Sequence, residues 1–392
     1  MVMNIKTLYS TLASIGFFIL FLSLENCRCN ARNNRAKPDP NSKLEQLEGT
    51  KNNFLLSPQF RDKKFEDIFT KDEIQQLNLV AQEPIFLEQD TDKNIYQIKV
   101  LNQKGLSCAY HAVKNCLWLM KAINSDLTKF KEYYFQMLSE QTYDKYQQST
   151  GLLSGETYEA EIIDKIKNTQ LGCLPEESRE YVENVTSIEF SKNGTREFRQ
   201  EFEKAAKKAI SDVEHLDQNS LDKFAYEAMI VFYNFNVEVL YKLSLAFSNN
   251  TRFIHGFILS VWTCMDHGVC LIINKDRENV EYIFADSLNS NFKSGYSGRY
   301  LQAIEALKSL ICQKDHFKEM LLRSIYTILQ YCKPHRRKLI LQTHIPKLTR
   351  FNLKECALYK NIYKKHFIDI IKKYKTEDEG EAELYDKILA EL

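Results

Sequence analysis

Cys108 sits where nucleophilic chemistry would want a thiol. In Asn102-Gln103-Lys104-Gly105-Leu106-Ser107-Cys108-Ala109-Tyr110-His111, Gly105 marks a turn and Ser107 is a good N-cap, so a helix is predicted to begin at Cys108. The first helical turn offers backbone N–H groups and the positive end of the helix dipole. Both favour thiolate over thiol, which lowers the pKa expected of a cysteine there, and the thiolate is the attacking species. Gln103 lies five residues upstream across the turn. Its amide, with the Cys108 N–H, is placed to donate to the oxyanion of a tetrahedral intermediate.

A thiol nucleophile needs a base, and a base needs an orienter. Val269–Ile273 and Val280–Ala285 are β-rich runs flanking a polar turn, which reads as a hairpin. A turn centred between Asp276 and Arg277 pairs residues whose numbers sum to 553, among them His267 and Asp286. Directly opposed Cβ atoms lie about 4.5–5.5 Å apart, so the carboxylate would accept from one imidazole nitrogen and leave the other for the thiol proton. His111, three residues beyond Cys108 on one helix face, is an alternative base. Asn289 is an alternative orienter, and His255 precedes an apolar strand with no evident carboxylate partner.

These residues need a scaffold of both helix and strand. Ala109, Ala112, Val113, Cys116, Leu117 and Met120 recur at helical spacing and predict one buried stripe behind Cys108. Apolar spacing through 196–245 predicts further helices, and from Tyr300 the chain reads as consecutive helices without a glycine until Gly380. Apolar residues make up 44% of the 392, enough for a packed core, while 12 glycines and 7 prolines are too few for an all-β fold. The expected class is α+β. Residues 333–375 carry 13 Lys/Arg against Glu355 and Asp369, and 377–386 hold six acids, which reads as a solvated basic helical surface followed by an acidic tail.

Gln103-x4-Cys108-Ala109-x-His111, with Asn115 shortly after, resembles the nucleophile block of Josephin-type deubiquitinases within the papain-like cysteine proteases. The resemblance is confined to the segments around Cys108 and His267, and Gly268 stands where that family typically has Trp. It implies a papain-like fold, a Cys helix packed on an antiparallel sheet, here with a helical insertion and a helical C-terminal extension. It further implies Gln103 as oxyanion donor, Cys108 as nucleophile, His267 as base and Asp286 as orienter, with no metal or cofactor. The substrate it implies is a protein, ubiquitin or a ubiquitin-like conjugate.

Outside the site, Lys6 followed by the uncharged Thr7–Leu24 reads as a secretory signal, and its 18 residues also approach a membrane anchor. Ten cysteines are spread without dense pairing, which points to a reducing destination such as another cell's cytosol. Cys116, Cys270 and Cys312 lie in apolar runs and are expected as buried thiols, and no cysteine spacing suits zinc. The expected organisation is a signal or anchor over 1–26, a linker and extension over 27–90, a catalytic domain over 91–300 and a helical basic region over 301–392. The expectation is therefore an exported thiol peptidase or isopeptidase, with membrane anchoring or delivery into a host cell as its alternatives to simple secretion. A C39-like peptidase, an acyltransferase and a non-catalytic binding protein are the alternatives. Net charge of +1 gives no reason to expect nucleic acid. Any membrane contact would run through residues 7–24 or the basic C-terminal helices.

Overall fold

The structure is a computed structural model that describes residues 63–77, 79, 83–90, 94–103, 107–138, 181–189, 204–208, 217, 223–224, 227–228, 230–231, 237–261, 267–288 and 297–392. The chain divides into two units, Met1–Lys51 and Asn52–Leu392. The first, with the signal or anchor expected over 1–26, lies outside the described residues.

Two short helices, α1 (Phe65–Ile68) and α2 (Lys71–Gln76), open the described chain, followed by strands β1 (Phe86–Asp90) and β2 (Ile95–Ile98). Helices α3 (Cys108–Ile123) and α4 (Leu127–Leu138) come next, then β3 (Val185–Glu189) and α5 (Val237–Asn249). Strands β4 (Arg252–Val261), β5 (His267–Asp276) and β6 (Asn279–Ala285) complete the sheet. Helices α6 (Ser297–Cys312), α7 (Lys314–Tyr331), α8 (Arg337–Arg350), α9 (Lys364–Glu377) and α10 (Ala382–Glu391) follow. Residue 90 ends β1, which pairs with β2, and α6 spans residue 300. Neither of those sequence boundaries separates compact units.

The α+β class is what the molecule adopts, but the sheet is mixed, not antiparallel. Its six strands run in the order β1-β2-β6-β5-β4-β3. Antiparallel pairings join β6, β5 and β4 at the centre, whereas β2 runs parallel to β6 and β3 parallel to β4. Parallel neighbours must be reached by long crossovers, and the intervening α3–α4 and α5 segments supply chain enough for them.

Helices cover both faces. Alternation along β5 sends Cys270 and Ile272 into a core with Ala109, Val113, Leu117 and Met120 of α3. Val269, Leu271 and Ile273 enter a second core with α5, α6 and α7. A strand buried on both sides has no polar face, which accounts for the unbroken run Val269-Cys270-Leu271-Ile272-Ile273. The same sandwiching overturns the single stripe expected of α3. Tyr110, His111, Lys114, Asn115 and Trp118 are buried as well, so the helix is enclosed all round.

Close approach of α3 to β4 depends on Gly256. A Cβ there would run into Cys116 Sγ and come within 2.9 Å of Met120 Sδ. At the other end of β5 the hairpin turns through Arg277 and Glu278, closed by Asp276 opposite Asn279. Partner numbers therefore sum to 555, not 553, a shift of two residues. Arg277 takes the left-handed conformation at φ 56°, which a side chain with a Cβ adopts only at a cost. The C-terminal basic run and acidic tail pair with each other through Arg337–Glu377 (2.6 Å), Lys338–Glu381 (2.7 Å) and Lys375–Asp386 (2.5 Å).

Two substitutions test this packing. Gly256→Ala is expected to destabilise by about 1–3 kcal/mol through overpacking, read as a lower urea midpoint. The exposed Arg277→Gly is expected to stabilise by about 0.5–1 kcal/mol, relief of the left-handed backbone outweighing the extra chain entropy. An unchanged midpoint for Gly256→Ala would mean that helix and strand are not in close contact.

Candidate active site

Helix α3 begins at Cys108 as the sequence predicts, with His111 N–H bonding back to the Ser107 carbonyl at 3.1 Å. Ser107 occupies the N-cap position, but at φ −97°, ψ 17° its side chain makes no capping hydrogen bond, contrary to expectation. No acidic residue lies in the first turn. The positive end of the dipole therefore meets no carboxylate from the helix itself where the thiol sits. Cys108 is half-buried, whereas Cys116 and Cys270 are fully buried, and burial beside Cys116 pushes the Cys270 thiol up. Cys312, expected buried, is half-buried against the Tyr282 hydroxyl at 3.2 Å.

His267 opens β5 opposite Val261 of β4. Its ring is buried, 4% exposed, and Nε2 meets Asp286 Oδ1 at 2.6 Å. The Cys108 thiol is hydrogen-bonded to the same imidazole. With Nε2 taken by the carboxylate, Nδ1 is the nitrogen left for sulfur. Burial alone would push the imidazole below its ordinary 6.5. The hydrogen bonds to Asp286 and Cys108, with the charges those partners carry, outweigh it and raise His267 to about 9.

The carboxylate reaches the imidazole by a different register from the one expected. The β5–β6 ladder ends at Cys270 opposite Ala285, and Asp286 lies one residue past it. In the 555 register Asp286 is two residues from the position opposite His267, hence a diagonal neighbour with the same face parity. A slip of one would have set the two on opposite faces; a slip of two keeps them together. Asp286 is 2% exposed, and the Leu288 N–H also donates to its Oδ1 at 2.9 Å.

Gln103 is tied to this same turn. Its N–H donates to the Ser287 carbonyl at 2.8 Å, and its side-chain Oε1 accepts from the Ser287 hydroxyl at 2.8 Å. All four expected site residues are thus linked in one chain of contacts, Cys108 to His267 to Asp286, and Ser287 to Gln103. Ser287 itself was missed, and only its place beside Asp286 could have signalled it.

The other histidines have different occupations. His111 is buried edge-on to Tyr110 and pushed down to about 3 by burial and by Lys114, which leaves a neutral ring enclosed in the core. His255 bridges β4 to β3 through Thr186 Oγ1 at 2.9 Å, and His316 pairs with the buried Glu227 at 2.7 Å. Asn289 lies outside the described residues. Among the described residues no group of His, Cys, Asp and Glu is arranged to hold a metal, and no helix is long and apolar enough to cross a membrane.

The chain matches no protein-family model, no curated protein and no solved structure. The reading of the site accordingly rests on its geometry.

Raising the imidazole from 6.5 to about 9 links it to stability. The folded protein holds this proton more tightly than the unfolded chain does. The stabilisation is therefore complete below about pH 6.5 and is lost as pH rises through about 9. Chemical denaturation of wild type and His267→Gln should show a stability advantage for wild type at pH 6 that has disappeared by pH 10. An advantage independent of pH would mean that His267 carries no raised proton affinity.

Proposed function

We propose that the protein is a cysteine hydrolase of papain-like mechanism, cleaving a peptide or isopeptide bond through an acyl-enzyme. One observation carries the reading: a buried imidazole holds a carboxylate on Nε2 and is hydrogen-bonded to the thiol of a helix-initiating cysteine. A purely structural histidine of the core has no need of that arrangement, whereas nucleophilic catalysis has use for each part of it.

In the proposed reaction Cys108 Sγ attacks the scissile carbonyl carbon, forming the S–C bond and moving the carbonyl pair onto oxygen. The Cys108 N–H and the Gln103 amide donate to that oxyanion. Collapse breaks the C–N bond while His267 passes its proton to the departing amine. A water then attacks the thioester and gives its proton to His267, the C–S bond breaks, and the carboxylic acid leaves. Asp286 holds the ring in place and balances the imidazolium charge throughout.

The resemblance to Josephin-type deubiquitinases adds the substrate class, a ubiquitin or ubiquitin-like tail, and the Thr7–Leu24 segment adds export. Cys108→Ala and His267→Ala are each expected to abolish hydrolysis, by a factor of at least about 10³, and Asp286→Ala to weaken it less. Incubation with a ubiquitin probe bearing a C-terminal electrophile, with Cys108→Ala as control, tests the substrate. A Cys108-dependent adduct supports it. No adduct with that probe, alongside labelling by a generic epoxide inhibitor of thiol proteases, would remove ubiquitin and leave the hydrolase. Labelling by neither would remove both.

A further inference from the structure

We propose that Ser287 is a positioning residue that sets the orientation of the Gln103 amide, so that its NH2 rather than its carbonyl serves the oxyanion. The inference deepens the hydrolase reading and rests on it. A primary amide has an acceptor oxygen and a donor nitrogen on nearly the same shape, and a half-turn about the terminal bond exchanges them. With the NH2 toward the developing O⁻ the residue stabilises the intermediate; with the oxygen there, it repels it. Something must therefore choose between the two.

Ser287 does so with two contacts on one residue 184 positions away in sequence. The Gln103 N–H donates to its carbonyl at 2.8 Å, which fixes where the glutamine stands. The Ser287 hydroxyl proton goes to Gln103 Oε1 at 2.8 Å, which fixes which way round the amide lies and turns Nε2 to the other side. Ser287 is 2% exposed, so water competes poorly for its hydroxyl. The two neighbours of Ser287 complete the device. Asp286 before it holds the His267 ring at 2.6 Å, and the Leu288 N–H after it holds Asp286 Oδ1 at 2.9 Å. Three consecutive residues following β6 thus hold the base and the oxyanion donor through hydrogen bonds from one short segment.

Two reagents on the full chain separate this role from general upkeep of the site. Iodoacetamide alkylates Cys108 by displacing iodide from carbon, with no oxyanion. p-Nitrophenyl acetate acylates Cys108 by addition to a carbonyl, through an oxyanion that collapses to the acetyl thioester and p-nitrophenolate. Ser287→Ala is expected to lower the acylation rate about ten-fold and leave the alkylation rate unchanged, and Ser287→Thr to recover most of the loss. Gln103→Ala is expected to lower acylation by about 10²-fold, and adding Ser287→Ala to it should cost nothing more. Equal acylation by Ser287→Ala and wild type, or a further loss in the double variant, would overturn the proposal. So would a matching fall in alkylation, which would mark a merely structural residue. Wild type alkylated at Cys108 but never acylated would remove the oxyanion donor together with its positioning. Wild type inert to both reagents would instead remove the hydrolase reading itself.

Discussion

A buried imidazole that holds a proton is an expensive object, and the rest of the molecule is arranged around keeping one. Removing the His267 ring from water disfavours its charged form, and only close negative partners reverse that preference. Asp286 supplies one at 2.6 Å, and the hydrogen bond with Cys108 adds to it. Taking away the Asp286 carboxylate would leave that buried charge uncompensated, a loss that in proteins runs to about 3–5 kcal/mol. Three groups from three places in the chain must consequently be held to hydrogen-bonding distance, and loose elements would not suffice.

The sandwich supplies that rigidity. Strand β5 is apolar on both faces because helices cover both, so His267 starts a strand that is buried from its first residue through Asn274. Helix α3 is enclosed all round and seated on β4 at Gly256, so its N-terminus cannot drift from the strand ends. The buried contact of Cys116 with Cys270 ties the same helix to the same strand below the site. The C-terminal helices pack on the opposite face, and the ion pairs between their basic run and acidic tail offset part of that run's positive charge within the chain.

Much of this was legible where the information is local. A helix start is written in a few neighbouring residues, and Gly105, Ser107 and the apolar spacing after Cys108 gave its position to the residue. A hairpin is written in two β-rich runs and a polar turn, so His267 and Asp286 were recognisable as companions at one end. The register was misread because nothing in the type of Arg277 announces a left-handed conformation, and the pairing survived because the error was even. Parallel pairings of β2 with β6 and of β3 with β4 join segments far apart in sequence, and no local pattern encodes them. The enclosure of Lys114, Asn115 and His111 on α3 was hidden for a related reason. Polar residues on a helix read as a solvated face until a second layer of chain is known to cover them.

The site's chemistry turns on the protonation state of the His267 ring. Nitrogen-15 NMR of the histidine side chains, assigned through His267→Gln, would report whether His267 carries protons on both nitrogens near neutral pH. The ring is expected to be doubly protonated at pH 7.5 and to titrate near 9, with a lower midpoint in Cys108→Ala. A ring that is a single neutral tautomer at pH 7.5, unmoved by loss of the thiol, would contradict that expectation.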